Sequence, residues 1–228
     1  MFRIVTSCLA GLTAVAALAA QSTPNTLSTA ERGEGFVLLF DGVSTRGWHQ
    51  LPLQNDQSPG PWKARDGVLT YEPGESWLAT DETYSDFVLR LDYRTTGTDT
   101  DSGIFMRSPA VGYPSWTGME LEMKGNDAGA APGLRTSMSL IGSAAALKAA
   151  HKAPGDWNTV DITLNKMRFT VLVNGEKIHD FSLDDPAYAV DRQHTPLGDR
   201  AKMGFIGFQA HRNGAPAEYR NIRIKLLK

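Results

Sequence analysis

Cysteine is nearly absent: the 228 residues contain one, Cys8, and it lies inside an apolar N-terminal run. Once that run is set aside, the chain has no thiol for a disulfide, a nucleophile or a soft metal ligand. A domain of about 200 residues can bury its core without such staples. Charge of one sign is lacking as well. The formal net charge is −2 and no long basic block occurs, which argues against nucleic acid as a partner. No His/Glu pair has zinc-protease spacing, no glycine-rich loop precedes Lys-Ser/Thr, and no Gly-x-Ser-x-Gly elbow occurs. Zinc-protease, nucleotide and serine-hydrolase chemistries therefore have no support. Helical patterning is scarce too. Only "SAAALKAAHKA", residues 143–153, has helical composition, and Pro154-Gly155 stop it, so it reads as a loop with one or two turns.

The N-terminus is a different kind of segment. "MFRIVTSCLAGLTAVAALAAQS" places one basic residue, Arg3, before an apolar run that ends in small residues. Ala17-Leu18-Ala19 fits the small-x-small pattern of a signal-peptidase site, and the run is short for a membrane anchor. Residues 1–20 are read as a cleaved signal peptide with the cut near Ala19 or Ala20, which implies a secreted or periplasmic protein with no membrane span in the mature chain. Residues 21–35, including "STPNTLSTAERGEG", are polar and aperiodic and read as a flexible tether. Residues 36–228 read as one domain.

From "FVLLFDG" onward, short apolar runs alternate with turn signals: "GVLTYEPG", "DFVLRLDYRT", "SGIFMRSP", "GMELEMKG", "NTVDITLN", "MGFIGFQAH" and "YRNIRIKLL" among them. Runs of four to eight residues at this spacing predict an all-β sandwich or barrel. Asn174-Gly175, between "RFTVLV" and "EKIHDF", predicts a hairpin, because a type I′ turn needs positive φ at both central residues.

Within "GMELEMKG", Glu120, Glu122 and Lys124 occupy every second position, with Met119, Leu121 and Met123 between them. A strand shows alternate side chains to opposite faces, so one face is apolar and the other carries two acids and a lysine. Taken alone, that polar face reads as a solvated strand surface rather than the floor of a site. In "GFIGFQAH", Gln209 and His211 share a face opposite Ile206, Phe208 and Ala210. Arg107 ends "SGIFMR" and offers a fixed donor fork or a surface salt bridge. Tyr113 and Trp116 in "VGYPSWTG" can form an apolar plate for a sugar ring or pack on the core. Trp48, Trp62 and Trp157 read as core, and Arg220 and Asn221 as residues that orient neighbouring strands. "TGTDTDSG", residues 96–103, has two aspartates two apart but lacks the ligand spacing of an EF-hand, and reads as a hairpin loop. No cofactor is assigned; a divalent metal stays open.

Nine segments in order, from "GFVLLFDGVSTRGW" through "WKARDGVL", "DFVLRLDYR", "DSGIFMR", "GMELEM", "PGDWNTVDITL", "VNGEKI" and "GFIGFQAH" to "EYRNIRIKLL", resemble the 3-keto-disaccharide hydrolase domain family. The resemblance runs from about Gly35 to Leu227. It implies a concanavalin-like jelly roll, two antiparallel sheets with a ligand groove on a concave face. It also implies an exported enzyme that cleaves glycosides already oxidised to a ketone at carbon 3. The family commonly has glutamine where Glu122 stands, and histidine-glycine where this chain reads His211-Arg212-Asn213-Gly214.

A carbon-3 ketone acidifies the hydrogen on carbon 2. Its removal gives an enolate that expels the group on carbon 1, and water then adds to complete a net hydrolysis. This route needs a general base, donors to the enolate oxygen and an acid for the leaving oxygen. On the resemblance, Glu120 is expected as the base, His211 as the acid, and Arg107 and Gln209 as groups that polarise the ketone. Glu122, Lys124, Gln209, Trp116 and Tyr113 are expected to bind the oxidised sugar. Two other readings stand beside this one: a non-catalytic carbohydrate-binding module on the same fold, and a conventional glycosidase with Glu120 and Glu122 as its carboxyl pair.

Overall fold

The computed structural model describes residues 23–51, 62–188 and 195–228. The proposed signal peptide therefore lies outside the described residues. In chain order, the first elements are α1 (Thr29–Gly33), β1 (Val37–Leu38), β2 (Trp48–Leu51), β3 (Trp62–Arg65), β4 (Val68–Tyr71) and β5 (Ser76–Thr80). Then come β6 (Phe87–Thr95), β7 (Asp101–Ser108), α2 (Pro114–Thr117) and β8 (Met119–Lys124). After a long loop follow β9 (Asn158–Asn165), β10 (Arg168–Val173), β11 (Glu176–Ser182), a short 3-10 turn at Leu197–Asp199, β12 (Phe205–Ala210) and β13 (Ala217–Leu226).

All strand pairs are antiparallel, and they form a two-sheet sandwich, one of the two all-β classes that the strand spacing allows and the one that the resemblance implies. The larger sheet runs β11-β10-β9-β6-β13-β4-β3, with β1 also pairing β13; the smaller runs β2-β5-β12-β7-β8. Period-two burial makes the larger sheet one-sided. In β6, Phe87, Leu89, Leu91, Tyr93 and Thr95 point into the core and the residues between them face outward. The smaller sheet differs. Every residue of β5 is buried, and so is every residue of β8 except Lys124, so its outer face is covered as well as its inner one. That covered outer face carries the polar residues that the sequence singled out.

Two local features depart from the sequence reading. The segment read as a tether is tied down. Ser28 and Glu31 form a capping box on α1, Glu31 pairs with Arg223 at 2.5 Å, and buried Asn25 exchanges two hydrogen bonds with Asn221. Polar composition misled there because the partners are themselves polar and nearly 200 residues away. Residues 143–153 are a loop, as the sequence predicts, and Ala144 and Ala146 pack into the core. Trp157 lies half-buried on the outside of the larger sheet, under the guanidinium groups of Arg220 and Arg94 at 3.9 and 4.8 Å. By contrast Trp48 and Trp62 are core, and Arg220 and Asn221 hold Asp92 on the neighbouring strand. The Asn174-Gly175 hairpin joins β10 to β11 with φ of 52° and 80°.

Candidate active site

Strand register decides which side chains share the outer face of the smaller sheet. One row across it reads Leu51, Trp77, Gln209, Gly103 and Glu122; the next reads His49, Ala79, Gly207, Phe105 and Glu120. A further pair sets Asp101 opposite Lys124. The intervening residues Met119, Leu121, Met123 and Phe208 are at most 1% exposed and fill the core between the sheets. The alternation read from "GMELEMKG" thus has the facing that the sequence predicts. Glu120, Glu122, Gln209 and Lys124 are brought to one surface.

That surface is not a solvated one. Glu120 is 4% exposed and Glu122 5%. The Glu120 side chain lies across β7 over Gly103, where a β-carbon would come within 2.0 Å of its Oε1. In the adjacent row the Phe105 ring lies over Gly207 in the same way. Two glycines without side chains therefore create the space in which these two groups sit. Ser115, on α2, hydrogen-bonds the Glu120 carboxyl. The Lys124 ammonium is 3.8 Å from Glu122 Oε2.

Burial dominates the electrostatics. Loss of hydration pushes the Glu120 carboxyl up to about 8, with the nearby Asp101 charge adding to the rise and the Ser115 bond opposing it. Glu122 is also pushed up to about 8, again mainly by burial; Lys124 pulls it down, while Glu120 and Asp101 push it up. A charged carboxylate in either place is costly, and a proton can be held or released near neutral pH.

The aromatic pair frames the acids. Tyr113 and Trp116 are 39% and 40% exposed, with ring centroids 4.5 Å apart, and Tyr113 meets buried Trp77 edge-on at 5.1 Å. Because Ser115 lies between them in sequence, α2 carries both the aromatic plate and the hydrogen bond to Glu120. His211 follows the last residue of β12 and is half-buried; its carbonyl accepts from the Gly74 N–H at 3.4 Å.

Arg107 is a correction. It is 1% exposed and faces away from the acids. Its Nε donates to the Ser85 carbonyl, Nη1 to the Lys166 carbonyl, and Nη2 to Asp86 at 2.9 Å. The cause is a bulge at the end of β7. Arg107 has φ of 46°, and the pairing with β12 slips between Phe205 and Gly207, so simple alternation no longer predicts its direction. Arg107 pins the two sheets together and does not reach a sugar. Conversely, the sequence reading missed Asp101. It begins β7 and is not part of a loop, and its facing follows from Gly103 and Phe105 once the strand is started at Asp101, one residue before Ser102.

Among the described residues, no group of three or more His, Cys, Asp or Glu is arranged to hold a metal ion. No helix there is long and apolar enough to cross a membrane. Two surface clefts, one beside Asn25 and Asp41 and one beside Asp184 and Tyr188, lie away from the acid row.

A family profile for the 3-keto-alpha-glucoside-1,2-lyase-like domain matches residues 35–225. The chain belongs to that family. Comparison with curated protein sequences finds no match. Among solved structures, a candidate glycosyl hydrolase from Parabacteroides distasonis aligns with a TM-score of 0.75 at 22% identity, covering 90% of this chain and all of that one. A Bacillus subtilis protein of galectin-like fold aligns at 0.52 with 15% identity, covering 78% of this chain and 88% of the other. A carbohydrate-binding module from the same species aligns at 0.50 with 13% identity, covering 78% and 96%. These likenesses establish the jelly-roll sandwich. Membership of the 3-keto-alpha-glucoside-1,2-lyase-like family makes this a carbohydrate-active domain.

Proposed function

We propose that the protein is an exported enzyme that cleaves the glycosidic bond of 3-keto-glycosides by removing the proton on carbon 2. The observation that carries this reading is the pair of buried carboxyls, Glu120 and Glu122, whose affinity for protons is raised into the working range of an acid or base. Family membership supports the choice of substrate class. The expectation of export rests on the N-terminal apolar run and Ala17-Leu18-Ala19.

In this mechanism Glu120 takes the carbon-2 proton. At pH 7 a carboxyl titrating near 8 is ionised in roughly a tenth of molecules, and that minority form is a stronger base than an ordinary carboxylate. Lys124 and Gln209 stand on the same face to stabilise the enolate oxygen. Expulsion of the carbon-1 oxygen forms the carbon 1–carbon 2 double bond, and the departing oxygen needs a proton. Two groups can give it, the neutral Glu122 carboxyl and His211. The Tyr113–Trp116 plate offers an apolar surface to a ring of the substrate.

A conventional glycosidase fits less well. Its two carboxyls must flank the scissile bond, one acting from each side. Glu120 and Glu122 stand two residues apart on one strand and address a substrate from the same side, an arrangement suited to proton removal and return on one face. The test is parallel incubation with 3-keto and unmodified disaccharides, together with substrate deuterated at carbon 2. Cleavage of the 3-keto sugar alone, with loss of the label to solvent, is expected. Glu120→Gln is expected to lower both by about a hundred- to ten-thousand-fold. Cleavage of the unmodified sugar, or sugar binding without turnover of either, overturns the reading in favour of the glycosidase or the binding module.

A further inference from the structure

We propose that Asp101 is a positioning residue of this site, sharing one proton with Glu122 and so dividing the two glutamates into an acid and a base. The inference rests on the reading above for the roles of acid and base, but the carboxyl pair itself does not depend on it.

Asp101 opens β7 directly opposite Lys124, and Glu122 is the next residue of β8 on that face. On adjacent strands and one face, the Asp101 and Glu122 carboxyls stand close enough to act on each other as charges and as hydrogen-bond partners. An ionised carboxylate can only accept, so two carboxyl groups in mutual hydrogen bond must hold at least one proton between them. The surroundings reinforce this. Glu120, Glu122 and Lys124 face Asp101 from β8, giving three acids and one ammonium. α2 contributes a neutral hydroxyl, Ser115, which is bonded to Glu120. His211 follows the end of β12, and Tyr71 donates to the Asp101 carbonyl from the larger sheet at 3.3 Å. Tyr219, in the core beneath, is close enough to interact electrostatically with Glu120. Asp99, two residues back, is turned to the Ala215 N–H at 3.2 Å. One lysine cannot offset three ionised acids in a buried site, so retaining a proton there is the cheaper state.

The division of labour follows. Glu122, holding the shared proton, gives it to the departing oxygen as the carbon 1–oxygen bond breaks. Glu120, bonded to a neutral hydroxyl, accepts the proton from carbon 2. The carbon–hydrogen electron pair becomes the carbon 1–carbon 2 double bond, and the carbon 1–oxygen pair leaves with the alcohol. Glu120 then carries the proton that the Asp101–Glu122 pair has lost, and its transfer to the adjacent carboxyl resets the enzyme. No oxidant, reductant or water is consumed in the elimination.

The experiment is a carboxyl titration by 13C NMR on protein labelled at glutamate, compared among wild type, Asp101→Asn, Asp101→Ser and Asp101→Glu. Removal of the Asp101 charge in the Asn and Ser variants is expected to lower the midpoints of both buried glutamates by about one unit, and Asp101→Glu is expected to restore them. The low-pH limb of kcat/KM on a 3-keto-glycoside should move down with the midpoints, a shift that a purely structural role does not produce. Midpoints in Asp101→Asn and Asp101→Ser equal to those of wild type overturn the proposal, whatever the activity. Shifted midpoints in a protein that turns over no 3-keto-glycoside sustain the carboxyl pair and overturn the proposed function instead.

Discussion

Glycine 103 controls where the Glu120 carboxyl rests. Its missing side chain leaves the space that the carboxyl occupies, and the atom that a β-carbon would strike is the far end of a flexible side chain and not backbone. Gly103→Ala is therefore expected to fold with near-normal melting temperature while displacing the carboxyl, with a loss of kcat on the order of a hundredfold. Thermal melting and steady-state kinetics on the same sample separate the two effects. Glu120 itself has a stability signature. Its folded-state value is raised from 4.5 to about 8, so the stabilisation from burying the neutral acid is complete below about 4.5 and is lost as pH rises through about 8. Glu120→Gln, which cannot ionise, should match wild type near pH 4.5 and melt several degrees higher at pH 8, at about 2–4 °C per kcal/mol for a domain of this size. A melting difference that is the same at both pH values would contradict the burial argument. These positions were readable in advance because Glu120 and Glu122 sit in the middle of an unbroken alternation. How deeply they are buried was not readable, since it depends on α2 and on two glycines of other strands.

At the level of the element, β7 shows where alternation stops being a guide. Residues 103 to 106 alternate regularly, and then the left-handed backbone at Arg107 redirects its side chain into the gap between the sheets. Nothing in "SGIFMR" signals that bulge, because its cause is the pairing with β12 a hundred residues later. Arg107→Ala would leave the Asp86 carboxylate and the Ser85 and Lys166 carbonyls short of donors. A loss of about 3–5 kcal/mol is expected, with the activity of the molecules that remain folded little changed. Chemical denaturation with activity measured at low denaturant checks both; a catalytic Arg107 would show the reverse pattern. The β10–β11 hairpin was legible for the opposite reason. Asn174-Gly175 encodes its own turn, and the Asn174 amide adds bonds to Ala150 and Asn158. Local signals survive reading in one dimension, whereas contacts made across the fold do not. The same holds for α1, whose capping box is visible in "STAE" but whose docking through Asn25 depends on a residue at the far end of the chain.

For the whole molecule, an all-β sandwich or barrel followed from run length and turn spacing, the two-sheet jelly roll from the family resemblance, and the order of strands from neither. That order has β13, the last strand of the domain, paired with β6 on one side and with β4 and β1 on the other. The strand made last therefore fills the middle of the larger sheet. On a ribosome, β6 and β4 would emerge with facing edges and no strand to join them, and β12 would still be missing from between β5 and β7. Neither sheet can close until nearly the whole domain has been synthesised, so the nascent chain has no early folded half. A chain ending at Gly214, before β13, is expected to show neither a cooperative melt nor dispersed amide resonances, and adding β13 as a separate peptide should restore both if the rest stays soluble. For the export proposed above, such lateness would be useful. A polypeptide that cannot complete its fold until its final strand is made stays threadable through a narrow channel for as long as it is being produced.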